Sequence, residues 1–151
     1  MTNVSNVYRV FIHAAPEKVF SYVADLTRHP EWSGGNLRIE SLTPAPVGVG
    51  SKYKSFGEVA GQKNRPNELL VTHYESPTRF TFTAQDPDFG EVVNDFKFIR
   101  QDGGTLMERT LSMNMNPFMA FAFRLFIRPL IGKPMMDKAF ARLKERLEAR
   151  D

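Results

Sequence analysis

From Leu37 to Met115 the sequence alternates polar and apolar residues with period two, in short runs cut by turn residues, and only afterwards offers a long helical stretch. The runs are LRIESL, SKYKSFGEV, ELLVTHYE, RFTFTAQ, EVVNDFKFIR and TLMERTLSMNM, separated by PAPVGVG, AGQKNRPN, SPT, DPDFG and QDGG. An earlier run, Val4 to His13, is rich in β-branched and aromatic residues and free of Gly and Pro. Together they predict about seven strands. Connections this short join neighbours as antiparallel hairpins, and QDGGT is the clearest of them.

Helical signals sit on either side of this block. Pro16 stands at a first helical position with Glu17 behind it, and Val19, Phe20, Val23 and Ala24 recur at helical spacing through PEKVFSYVAD. Pro30 begins a second short turn, which Gly34-Gly35 ends. Near the other end, Asn116-Pro117 caps a segment, Phe118 to Ile127, that is apolar nearly all round and is therefore expected to be buried. Pro129, Gly132 and Pro134 predict one break, after which Met136, Phe140, Leu143 and Leu147 form a single stripe. An antiparallel sheet must bury one face, and only this last helix is long enough to cover it. The expectation is an α+β fold in one domain, residues 1–151: a curved antiparallel sheet of about seven strands wrapped around a long C-terminal helix, with two short helices after strand 1.

Composition removes several classes of function. The net charge is +3 with cations scattered among acids, so no basic stripe for nucleic acid is present. The absence of cysteine excludes disulfides, thiolate metal sites and cysteine nucleophiles, and is compatible with the reducing cytoplasm, where the protein is expected. MTNVSNVYRV has no basic region followed by an apolar run, so no signal peptide is expected. The apolar run Phe118 to Ile127 falls short of the roughly 20 residues that a membrane-spanning helix needs. Thirteen Phe and seven Met tilt the apolar residues toward large, adaptable side chains that suit a cavity as well as a plain core.

The order of IHAAPEKVFSYVAD, HPEW, VGVGSKY, ESPTRFTF and QDGGTLMERT resembles the helix-grip superfamily of polyketide cyclase/dehydrase and START-related lipid-transfer proteins, the SRPBCC proteins. The resemblance covers nearly the whole chain. It implies a START-like helix-grip domain with a cavity between sheet and long helix that binds an apolar small molecule such as a lipid, a polyketide or an aromatic metabolite. It does not imply one reaction, because members of the superfamily range from carriers and sensors to cyclases.

Strand alternation then locates polar residues on apolar faces. In TLMERTLSMNM the inward set is Met107, Arg109, Leu111, Met113 and Met115, and Arg109 is its exception. In EVVNDFKFIR, Val92, Asn94, Phe96 and Phe98 share a face on which Asn94 is the exception. Both are candidates to orient a ligand in an apolar pocket. A structural carboxylate partner or a position at the rim would account for Arg109 equally well. Phe80, Phe82 and Ala84 form another apolar face, and Tyr53, beside Ser51 and Ser55, is a candidate hydrogen-bond donor into the pocket. Phe118, Phe121, Leu125, Met135 and Met136 stand where the long helix would roof the cavity, and Trp32 where the short helices meet the open end of the sheet. His73 becomes a general acid or base if it faces the hollow.

Asp25, His29 and Glu31 surround Trp32 but do not share a face, and His13 and His73 lie on separate strands. No paired-His spacing occurs, so neither a metal nor a cofactor is expected, and Asp25 reads as a turn residue. No serine has the G-x-S-x-G elbow, and VGVGSKY lacks the Lys-Ser/Thr of a phosphate loop.

Three functions fit. The first is a carrier or sensor that binds an apolar ligand through Trp32, Tyr53, Phe80, Phe82, Asn94, Phe96, Arg109, Leu111, Met113, Phe121, Leu125 and Met136. The second is a cyclase/dehydratase-type enzyme in which Arg109, Asn94, Tyr53 or His73 polarises a carbonyl or moves a proton. The third is peripheral lipid transfer through membrane contact by the first half of the last helix, with Arg124, Arg128 and Lys133 beside its apolar residues. The expected partners are a hydrophobic small molecule rather than nucleic acid, with a second copy of the chain, as a homodimer, compatible with all three.

Overall fold

The computed structural model describes residues 1–34, 36–59, 62–86 and 90–149. Seven strands form one antiparallel sheet: β1 (Thr2–Ile12), β2 (Arg38–Ser41), β3 (Lys52–Val59), β4 (Gln62–Glu75), β5 (Arg79–Asp86), β6 (Gly90–Gln101) and β7 (Gly104–Met115). Their order, β1-β7-β6-β5-β4-β3-β2, places every strand after the first beside its chain neighbour and returns the last to the first. Two short helices, α1 (Pro16–Val23) and α2 (Pro30–Ser33), follow β1 with a 3₁₀ turn, Leu26–Arg28, between them. The C-terminal helical arm runs through α3 (Pro117–Ala122), a π-helical segment Phe123–Gly132 and α4 (Lys133–Glu148). This is the helix-grip arrangement.

The β6–β7 hairpin turns on Asp102 and Gly103, with φ of 49° and 77°. Two successive residues with positive φ give the turn a twist that matches the strands it joins. Other predicted turns differ. AGQKNRPN is largely strand, because β4 begins at Gln62 and Pro66 lies opposite Phe56. Pairing of β4 with β5 starts only at Glu68, so Pro66 has a neighbour on one side alone and its missing N–H breaks no ladder on the other. Gly35, Ala60–Gly61 and Pro87–Phe89, parts of expected turns, lie outside the described residues.

The register sorts the concave face into rows. One row runs Tyr74, Phe80, Phe96, Arg109, Tyr8 across five strands, and the next runs Val71, Phe82, Asn94, Leu111, Asn6. Phe96 stacks with Phe82 and Phe98, Phe20 of α1 meets Phe80 and Phe98 edge-on, and Ala139, Phe140, Leu143 and Leu147 of α4 complete the same core. Polar ties fix the cover: Lys144 Nζ donates to the Phe11 carbonyl at 2.8 Å and Lys18 Nζ to the Leu147 carbonyl at 3.0 Å.

The expected break in the last helix does not occur. Pro129 has no N–H to donate and its ring obstructs the carbonyl four residues earlier. The backbone answers with wider i→i+5 turns from Phe123 to Gly132 and continues into α4, the Lys133 N–H bonding to the Arg128 carbonyl just before Pro134. The burial expected of Phe118–Ile127 is met only in part: Ala120 is buried and Phe123 packs beside it, but Phe118 is 78 % exposed, Phe121 61 % and Leu125 51 %. The core is roofed by α4 instead, because α1, α2 and α4 already cover the apolar rows.

Gly34, at the C-terminal end of α2, has φ 77° and ψ −164°, a region essentially reserved for glycine. A Cβ there would stand 2.7 Å from Nη2 of Arg142, whose Nε donates to the Trp32 carbonyl at 2.8 Å. Gly34→Ala is therefore expected to lower the urea-unfolding free energy by about 1–3 kcal/mol, and an unchanged midpoint would refute this account of the α2–α4 joint.

Candidate functional site

Arg109 lies opposite Tyr8 on one side and Phe96 on the other, so its side chain enters the concave face. Its Nη2 donates to Asn94 Oδ1 at 2.8 Å and its Nη1 approaches the Met136 sulfur at 3.6 Å. The guanidinium carbon stands 5.0 Å from the Phe96 ring centre and 5.8 Å from that of Trp32, within reach of cation–π attraction. Its polar partners among the described residues include no carboxylate, and Nε is buried without a partner. Burial pushes the guanidinium down to about 10, with nearby Tyr8 opposing part of the shift. It remains a cation at neutral pH.

Beside it is His29, buried against Trp32, Phe82 and Phe96 with ring centres 4.8 to 6.1 Å away. Its Nε2 lies 2.8 Å from the Val23 carbonyl, which can only accept, so Nε2 carries the proton of a neutral ring. Desolvation, reinforced by the charge of Arg109, lowers its pKa to about 3, against a smaller opposing effect of the Val23 bond. No group of three or more metal-ligating side chains occurs among the described residues, and Asp25 instead caps the 3₁₀ turn through the Thr27 amide.

The cleft at this place measures about 250 Å³ and opens between β1, β7 and the helical arm. Leu111, Met113, Phe123, Met135, Met136 and Ala139 make it apolar, with Tyr8, Ser33, Gly132 and Arg109 completing it. It is smaller than the roughly 300 Å³ at which ligand pockets usually begin. A larger hollow of about 650 Å³ is a surface groove lined by Lys18, Tyr22, Asp25, Arg28, Glu31 and Arg146, whose charges answer one another. Another of about 370 Å³, beside Tyr53 and Leu69, lies toward the β2–β3 edge. The smaller cleft is the better site because it is the hollow between concave face and helix, and it contains polar atoms left without partners.

Of the residues singled out in the sequence, Arg109, Leu111, Met113 and Met136 come together at this cleft, with Asn94 bonded behind Arg109. Trp32 is fully buried next to them. Phe80, Phe82 and Phe96 belong to the packed aromatic core, so they fill the hollow that an empty helix grip would have. Tyr53 is buried at the far edge, where burial, then Asp25 and Tyr74, raise its hydroxyl pKa. Phe121 and Leu125 face away, as their exposure shows. His73 turns from the hollow because a bulge between Val71 and His73 shifts the register, pairing His73 with Thr81 and leaving its Nε2 3.1 Å from Glu75. Tyr8, Ser33 and Phe123 were not singled out: Tyr8 enters through β1 pairing with β7, a contact between chain ends that local alternation does not reveal.

The sequence profile of one family, described as polyketide cyclase / dehydrase and lipid transport, matches residues 3–148. The chain belongs to that family. Comparison with curated proteins finds no match. The fold is similar to the di-domain ARO/CYC BexL from the BE-7585A biosynthetic pathway, with TM-score 0.77 and 14 % identity over 99 % of this chain and 51 % of that one. It is also similar to Ara h 8.0201, with TM-score 0.69 and 14 % identity over 97 % and 98 % of the two chains, and to Ms6760 from Mycobacterium smegmatis, with 0.67 and 16 % over 95 % and 90 %. At such identities the likeness shows the helix-grip fold and leaves the chemistry to the residues of this chain.

The buried histidine makes stability depend on pH. Between pH 6.5 and about 3 the unfolded chain protonates His29 while the folded one does not, so stability is full above pH 6.5 and falls as pH drops, by about 1.4 kcal/mol per unit. His29→Gln, compared with the parent by urea unfolding from pH 6.5 to 5, is expected to flatten that slope; parallel slopes would place the histidine in contact with water.

Proposed function

We propose that the protein binds an apolar small molecule, as a carrier or sensor, in the cleft between the β1–β7 end of the sheet and the helical arm. The observation that carries this reading is the lining: six apolar side chains face one cation across about 250 Å³. A ligand there exchanges water contact for methionine, leucine and phenylalanine surface, at about 25 cal/mol per Å² of apolar area. Flexible Met113, Met135 and Met136 let the site adapt to ligand shape. Turnover of the cyclase/dehydratase kind would rest on Arg109, which at neutral pH can polarise a carbonyl oxygen as a fixed cation, whereas His29 is held neutral with Nε2 committed to Val23.

Incubation with a lipid and metabolite extract, repurification and native mass spectrometry test this reading. Retained apolar molecules are expected, and Leu111→Trp, which fills the cleft, should reduce retention at least tenfold with the circular dichroism unchanged. An empty parent protein, or equal retention by the variant, would overturn it.

A second reading rests on the outer surface of the helical arm. Phe118, Phe121, Leu125, Phe126, Leu130, Ile131 and Met135 are all more than half exposed. From Phe121 onward, spacings of four and five residues align them along the wide i→i+5 turns. Exposed Arg124 and Lys138 lie among or beside them, with Lys133 paired to Asp137 at 2.9 Å, so the chemistry that fits is an anionic bilayer surface, which takes apolar side chains at its interface and cations at its headgroups. Such contact would put the mouth of the cleft against a lipid source. Co-sedimentation with phosphatidylserine vesicles at low salt is expected, weakening as salt rises and abolished by Phe126→Asp with Leu130→Asp. Protein left in the supernatant, or a dimer in ultracentrifugation that the same pair of changes dissolves, would overturn it.

A further inference from the structure

Five buried side-chain polar atoms among the described residues have no hydrogen-bond partner: Trp32 Nε1, Ser33 Oγ, Asn67 Oδ1, Arg109 Nε and Arg128 Nε. Two of them belong to the lining of the cleft, and two more stand against lining residues. Arg109 and Ser33 line it, Trp32 stands 5.8 Å from the Arg109 guanidinium, and Arg128 lies over the ring of Tyr8, another lining residue, at 5.4 Å. Each of the four can donate a hydrogen bond, and only the Ser33 hydroxyl can also accept.

A buried donor without an acceptor costs about 1–3 kcal/mol, and more when it is charged. Arg109 adds an uncompensated positive charge, since Asn94 supplies a dipole and Met136 a weak acceptor, but neither supplies an anion. No apolar ligand alone would relieve either cost. A ligand with an anionic oxygen would relieve both, while its hydrocarbon part lies on Leu111, Met113, Phe123 and Met136.

Resting on the reading of the cleft as an apolar ligand site, we propose that its ligand is an amphipathic acid: a hydrocarbon or aromatic body carrying one carboxylate, which Arg109 and Ser33 receive. Neutral lipids and uncharged ring systems are thereby disfavoured. The limited volume points to an aromatic or medium-chain acid rather than a large one. A lipid hydrolysis or an aldehyde oxidation is the class of reaction that generates such a molecule.

Decanoate and 1-decanol, matched in chain length and different in charge, separate this proposal from the one beneath it. Each is titrated below its aggregation limit at neutral pH, with calorimetry and the emission of Trp32, the only tryptophan, as readouts. Decanoate is expected to bind at least tenfold more tightly than decanol and to change the Trp32 emission. Arg109→Met should bring the two affinities within about twofold of each other while decanol binding persists. Arg109→Lys, which keeps a charge but not the planar fork, should fall between. If the parent binds both ligands equally, the acid proposal fails and the apolar site stands. If it binds neither, and retains nothing from extract, both fail. Because the comparison of the two ligands on the parent protein needs no variant, a poorly folding Arg109→Met does not spare the proposal.

Discussion

A seven-stranded antiparallel sheet with one apolar face has to be covered, and nearly every other feature of this protein follows from how that cover is divided. The helices α1 and α4 lie over the Phe20, Phe80, Phe96 and Phe98 cluster and fill it with side chains. The π-helical stretch spans the remaining end without burying its own apolar residues, leaving the cleft beside β1 and β7. A helix grip is often pictured as a hollow; here aromatic rings occupy most of it, and the space left open lies where methionines line it.

The electrostatics of that end are one-sided. Arg109 stands among Phe96, Trp32 and Tyr8 with an amide rather than an acid as its closest partner, and its charge helps to hold His29 neutral. Placing a cation in such surroundings is costly unless the site is completed by something else. The carrier and the catalytic readings proposed for the cleft therefore both turn on Arg109. The neighbouring face of the helical arm leaves Phe118, Phe126 and Leu130 exposed beside that cleft.

Much of this was legible in the chain. Period-two alternation placed Arg109 and Asn94 on the inward faces of adjacent strands, and the register brings them to 2.8 Å. QDGG marked its hairpin because positive φ at two successive positions selects a narrow set of residues. Local pattern left the face of His73 open, which one extra residue in β4 decides, and it failed at Pro66, which reads as a breaker but sits where one side of the strand lacks a neighbour. Phe121 and Leu125 misled for a different reason. An apolar residue in a helix is drawn inward only if interior surface is left to cover, and local sequence does not count what other helices have already covered.

The sequence by itself determined the strand count, the antiparallel order and which side of β6 and β7 would be apolar, since each depends on residues close together in the chain. Tertiary structure alone decided that Tyr8 would meet Arg109, that Ser33 would bring an unpaired hydroxyl to the same cleft with Trp32 and Arg128 against its lining, and that no acid among the described residues would line it. These outcomes come from closure of β1 against β7 and from the docking of α2 and the helical arm, contacts about a hundred residues apart in the chain, whose chemistry has no local periodicity to announce it.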